Sequence, residues 1–112
     1  MENYSEDITI ENIDKVLNQG KIYLQFSADW CGPCKVLSKT VQNLLVSGEF
    51  DHTGLNVQFY KINIDNNREL AMKFGVRSIP HVMLYRDGQM VNQFVGGKNK
   101  VELQGVLENT FM

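Results

Sequence analysis

Cys31-Gly32-Pro33-Cys34 lies between an apolar run, Ile22 to Ser27, and a stretch in which Leu37, Val41, Leu44 and Leu45 recur at helical spacing up to Gly48. Nothing else in the chain constrains its fold as tightly. The run reads as a strand and Pro33 suits the opening turn of a helix, so both cysteines sit at a strand–turn–helix corner, their sulfurs within bonding reach across one turn. They are the only two cysteines present. A crosslink closing so short a loop removes little entropy from the unfolded chain, so the spacing points to reactivity rather than stability. A helix start offers unpaired backbone N–H groups and the positive end of its dipole to the first sulfur, which favours the thiolate of Cys31. Cys34, one turn further in, is expected to be more buried and to stay a thiol until needed. Cys31 would attack a substrate disulfide to form a mixed disulfide, and Cys34 would then attack Cys31 and release the reduced substrate. A zinc half-site also uses this spacing, but the only histidines, His52 and His81, match no finger pattern. Neither a metal nor a cofactor is required.

The remaining pattern places this corner in an α/β sandwich. In 112 residues, 43% of them hydrophobic, one core is expected, and no repeat, linker or charge block suggests a boundary, so residues 1–112 read as a single domain. Thr9 can cap a first helix carrying Ile10, Ile13, Val16 and Leu17, with Gly20 as its stop; a strand before it is doubtful. Val57 to Ile64 alternates as a strand, and Leu70, Ala71 and Phe74 make a short helix ended by Gly75. Asp87-Gly88 joins His81–Arg86 to Met90–Val95 as a hairpin, and Asn99 with Glu102 resembles a capping box before a last helix through Phe111. A strand–helix–strand crossover demands parallel pairing and the hairpin adds antiparallel strands. The expected sheet is therefore mixed, of four to five strands, with helices on both faces.

Composition narrows the partners. The longest apolar run, Val82 to Tyr85, is four residues, far below the roughly 20 of a membrane-spanning helix. A net charge of −2 leaves no basic surface for phosphate backbones, so neither membrane nor nucleic acid is expected as a direct partner. The amino end, Met1 to Asp7, is acidic and polar, unlike a secretory signal, and a cytoplasmic location is expected.

Phe26-Ser27-Ala28-Asp29-Trp30-Cys31-Gly32-Pro33-Cys34-Lys35 resembles the active-site segment of the thioredoxin family. Lys61 to Asp65, Phe74 to Pro80, Asp87-Gly88 and Val95-Gly96-Gly97 follow in the family's order, so the resemblance covers most of residues 8 to 111 and implies a thioredoxin-like fold. It further implies a cis bond between Ile79 and Pro80 against the cysteines, although only about 5–6% of X–Pro bonds are cis in general. Trp30, Gly32, Pro33, Ile79, Pro80 and Gly96 would form a shallow apolar docking groove around Cys31. Taken alone, Trp30 could equally be a core aromatic.

Several residues depart from the family pattern. Gln25 stands where a buried aspartate is usual, facing the retained Lys61. A carboxylate could take the Cys34 proton, but an amide cannot titrate, so resolution is expected to be slower or to use water or another base, with Lys61 nearer solvent or its pKa lowered. Lys39 replaces a helix-kinking proline, which predicts a straighter helix. His81 reads as a structural histidine, Asp29 and Lys35 as solvated surface. The polar stretch from Ser47 to Asn56 reads as a loop, in which Phe50 could alternatively meet a partner.

The resemblance implies a protein-disulfide reductase acting on disulfide-containing protein substrates and re-reduced by a thioredoxin reductase. The Gly-Pro insert resembles that of the reducing members, which implies a low reduction potential. Two other readings stand beside it. One is a glutaredoxin-like protein serving glutathione, which Phe94 to Asn99 faintly resembles; the other is a non-catalytic binding module of a larger complex.

Overall fold

The computed structural model describes residues 4–5, 8–48, 50 and 54–112. Its elements, in chain order, are β1 (Tyr4–Ser5), α1 (Ile13–Leu17), β2 (Lys21–Ser27), α2 (Gly32–Ser47), β3 (Gln58–Asn63), α3 (Arg68–Lys73), β4 (His81–Arg86), β5 (Gln89–Val95) and α4 (Lys100–Phe111). The five strands form one sheet in the order β1-β3-β2-β4-β5. β3 runs parallel to β1 and β2, whereas β4 is antiparallel to β2 and β5.

Alternation along the strands divides the core. Tyr23 and Phe59 point to the face covered by Leu37, Val41 and Leu44 of α2 and by Leu103, Leu107 and Phe111 of α4. Ile22, Leu24, Phe26 and Ile62 point to the other, where Ile13, Val16 and Leu17 of α1 and Leu70 of α3 pack. β2 is buried on both faces and paired on both edges, so a chain leaving its carboxyl end must turn straight into α2 at the cysteines.

The mixed sheet with helices on both faces was legible in the pattern; three local features were not. The doubtful early strand exists as β1, held by pairing Tyr4 with Phe59 and Ser5 with Tyr60. Regular α1 begins only at Ile13, one turn after Thr9; Thr9 still caps that first turn as expected, exchanging reciprocal bonds with Asn12, backbone N–H to side-chain oxygen at 2.8 and 3.1 Å, while its C=O accepts from Ile13 N–H at 3.0 Å. Phe50 does not face outward for a partner: it is buried, edge-on to Phe59 with ring centroids 6.0 Å apart. His52 lies outside the described residues.

The β4–β5 hairpin turns through Asp87 and Gly88 at φ 51° and 90°, the pattern of a primed two-residue turn. The turn docks on the end of α1 through Gly88 N–H to Leu17 C=O at 2.8 Å and Asp87 N–H to Gly20 C=O at 2.9 Å. A Cβ on Gly88 would collide with Asn18 Oδ1, and that side chain is itself tied to Asp14 C=O at 2.8 Å. Gly88→Ala is therefore expected to cost about 1–3 kcal/mol, combining left-handed strain with the collision. The check is urea unfolding, in which the midpoint should fall while the slope stays unchanged.

Candidate active site

α2 starts at the cysteines because Cys31, in extended conformation, is its N-cap, and Pro33 fits the first turn. The cap is made by sulfur: Cys34 N–H donates to Cys31 Sγ at 3.2 Å. The two cysteines are joined as a disulfide with Cα atoms 5.3 Å apart, the oxidised form of the pair. Cys31 is 5% exposed and Cys34 1%, so the first sulfur is the more accessible of two nearly buried ones. Ala28 packs against both, with Ile64 and Ile79 alongside.

The residues singled out in the sequence converge here. Ile79–Pro80 is cis. The Ile79 carbonyl oxygen lies 3.9 Å from Cys31 Sγ, and Gly96 N–H donates to Pro80 C=O at 2.9 Å, bringing the end of β5 beside the proline. Gly32 and Pro33 are exposed next to Cys31. Trp30 is no core aromatic: it is 69% exposed, with its indole N–H bonded to Asp65 Oδ2 at 2.9 Å. Asp65, in the turn after β3, is the partner the sequence reading did not single out. Trp30 is the sole tryptophan, so Asp65→Ala is expected to lower its steady-state fluorescence anisotropy by freeing the indole; unchanged anisotropy would mean packing alone orients the ring.

Behind the cysteines, Gln25 faces Lys61 in the β2–β3 register and is completely buried. Its amide is held on both sides. Tyr23 Oη donates to Gln25 Oε1 at 2.8 Å, and Gln25 Nε2 donates to Ser27 Oγ at 2.8 Å and Ser38 Oγ at 3.2 Å. Ser27, Ser38, Cys34 and Lys61 line a cleft of about 320 Å³, together with Asp29, Lys35 and Lys39. Tyr23 and Ser38 escaped the sequence reading, although Ser38 stands one helical turn beyond Cys34, a spacing that could have drawn notice. α2 continues unbroken past Lys39. His81, beside Pro80, is buried; its Nε2 pairs with Gln93 Oε1 at 2.8 Å, while Nδ1 has no hydrogen-bond partner among the described residues.

A dithiol pair at a helix start, facing a cis-proline on a mixed α/β sheet, defines a class of proteins that exchange disulfides. Comparisons narrow it. The family model for thioredoxin matches residues 4–109. The chain is 37% identical over 100 residues to the thioredoxin of Chlamydia pneumoniae, covering 89% of this chain and 92% of that one. It is 34% identical over 96 residues to the thioredoxin of Bacillus subtilis strain 168, covering 86% and 88% respectively. In fold it is similar to the crystal structure of Malassezia sympodialis thioredoxin (Mala s 13), with a TM-score of 0.82 at 22% identity over 100% of this chain and 94% of that one. The chain belongs to the thioredoxin family, and it is a thiol–disulfide oxidoreductase, a protein-disulfide reductase working through the Cys31–Cys34 pair. Among the described residues, no helix is long and apolar enough to cross a membrane.

Proposed function

We infer that Cys31 is the nucleophile of this reductase and Cys34 its resolving thiol. One observation carries the assignment: Cys31 Sγ is the sulfur at the start of α2 and receives the Cys34 backbone N–H, so a negative charge there is met by a donor and by the helix dipole. Cys34 lies inside the first turn and has less access to solvent. Trp30, Gly32, Pro33, Ile79, Pro80 and Gly96 form the docking surface, and the Ile79 carbonyl beside Cys31 Sγ offers an extended substrate chain a backbone acceptor. Gln25 and Lys61 support the pair from behind. In the reduced protein, iodoacetamide is expected to alkylate Cys31 in preference to Cys34, at a pH where free cysteine is still mostly protonated. An outer sulfur reacting no more readily than free cysteine, with no dithiol turnover, would remove the assignment.

On this reading residues 1–112 make one thioredoxin-like domain working in the cytoplasm on protein disulfides, without direct contact with nucleic acid or membranes. Electrons come from a thioredoxin reductase. The glutathione-dependent alternative is separated by insulin reduction: turnover is expected with a thioredoxin reductase as donor, and a protein driven only by glutathione would reverse the choice of donor.

A further inference from the structure

Gln25 is an amide at a completely buried position beside the redox pair, and its bonding has a direction. With Oε1 occupied by the Tyr23 hydroxyl, Nε2 spends its donors on Ser27 and Ser38. Each serine oxygen therefore accepts from the amide, and each keeps its one proton for another acceptor. Neither hydroxyl donates to a protein group among the described residues. Both line the cleft that Cys34 also lines. Ser38 is one turn beyond Cys34 on α2, where side chains four residues apart have Cβ atoms about 5–6 Å from each other.

Resolution creates an acceptor in that place. The Cys34 thiol gives its proton to water, the resulting thiolate attacks Cys31 Sγ, the Cys31–substrate bond breaks, and the substrate leaves as a thiolate that takes up a proton. The protein dithiol is oxidised by two electrons and the substrate disulfide reduced by two. A thiolate at a position only 1% exposed is costly unless donors meet it. We propose that Ser38 and Ser27, oriented as donors by the Tyr23–Gln25 chain, stabilise the Cys34 thiolate during resolution, so that water in the cleft serves as base. The two serines meet the reacting sulfur, Tyr23 and Gln25 act as positioning residues behind them, and the inference rests on Cys34 being the resolving thiol. The charged residues lining the cleft are Asp29, Lys35 and Lys39 beside the helix and Lys61 from β3; they are common to every variant compared below, so differences belong to the hydroxyls.

The test uses the reduced full chain and the chromogenic disulfide dithiobis-nitrobenzoate in single turnover. Attack by Cys31 releases a first thionitrobenzoate and attack by Cys34 a second, and the two phases are followed from about pH 5 to about pH 9. Ser38→Ala is expected to leave the first phase in place, slow the second about tenfold at neutral pH, and move its pH midpoint up by about one unit. Ser38→Thr, which keeps a hydroxyl, should restore both, and Ser27→Ala should shift the midpoint in the same direction as Ser38→Ala. A midpoint that stays put in both alanine variants, or a threonine variant as slow as alanine, overturns the proposal. Should the unsubstituted protein show no second phase dependent on Cys34, the assignment of Cys34 fails instead, which keeps the two failures distinct.

Discussion

Cys31→Ser is expected to lower the turnover of protein disulfides by about a thousandfold or more, down to background, while leaving the fold in place. The loss would be chemical. At physiological pH a serine hydroxyl forms essentially no oxyanion, so the attacking species disappears. Serine is nevertheless a good N-cap, and its oxygen can take the Cys34 N–H that Cys31 Sγ now accepts, so α2 keeps its start. Losing the disulfide also matters little for stability, because a bridge between residues three apart constrains the unfolded chain weakly. Cys34→Ser separates the two roles. The first attack survives, the second cannot occur, and the substrate is expected to accumulate on Cys31 as a mixed disulfide, seen as an added mass that thiol reductant removes. Equal activity loss with no trapped adduct would reverse the roles assigned to the two sulfurs. With both cysteines replaced by serine, any function that persists is that of a binding module, the reading from another class that the sequence left open.

Elements whose reason is local were readable in advance. The capping box at Asn99 and Glu102 is present with both reciprocal bonds, and Asp87-Gly88 makes the turn its residue types require. The active-site corner was readable for the same cause: strand, proline and helix are adjacent in sequence. Most of what escaped the reading depends on residues distant along the chain. β1 is two residues long and is a strand only because β3, far along the chain, pairs with it. Phe50 sits in a polar stretch, and its burial follows from Phe59 lying beneath it. Around the site, Gln25 and Lys61 could be matched through the resemblance, but the hydroxyls could not. Tyr23 reads as one more strand aromatic and Ser38 as a gap in a helix's apolar stripe, until the packing of α2 on β2 brings both to one amide. Trp30 illustrates the converse. An indole in isolation is as compatible with a core as with a surface, and its exposed pose here goes with a bond to Asp65 across the β3 turn that the sequence does not announce.

Phe59→Ala is expected to produce the largest loss of stability, about 3–5 kcal/mol, a large fraction of the roughly 5–15 kcal/mol that holds a domain folded. Phe59 is completely buried on β3, which pairs on both of its edges, so neither the ring's contacts nor the strand's position can relax into solvent. Its ring lies 4.8 Å from that of Tyr23 and 6.0 Å from that of Phe50, so removal opens a void against two other segments at once. Leucine fills part of that void and should cost clearly less than alanine. Urea unfolding followed by circular dichroism reads both, and a loss under about 1 kcal/mol for alanine would mean the core closes over the gap. The consequence also reaches the site. Tyr23 is held by Phe59 on its ring and by Gln25 at its hydroxyl, so a ring that loses its neighbour loosens the amide that orients Ser27 and Ser38. The alanine variant that remains folded at low temperature is therefore expected to slow release of substrate from the mixed disulfide more than its formation, linking a packing defect on one strand to the second step of the exchange.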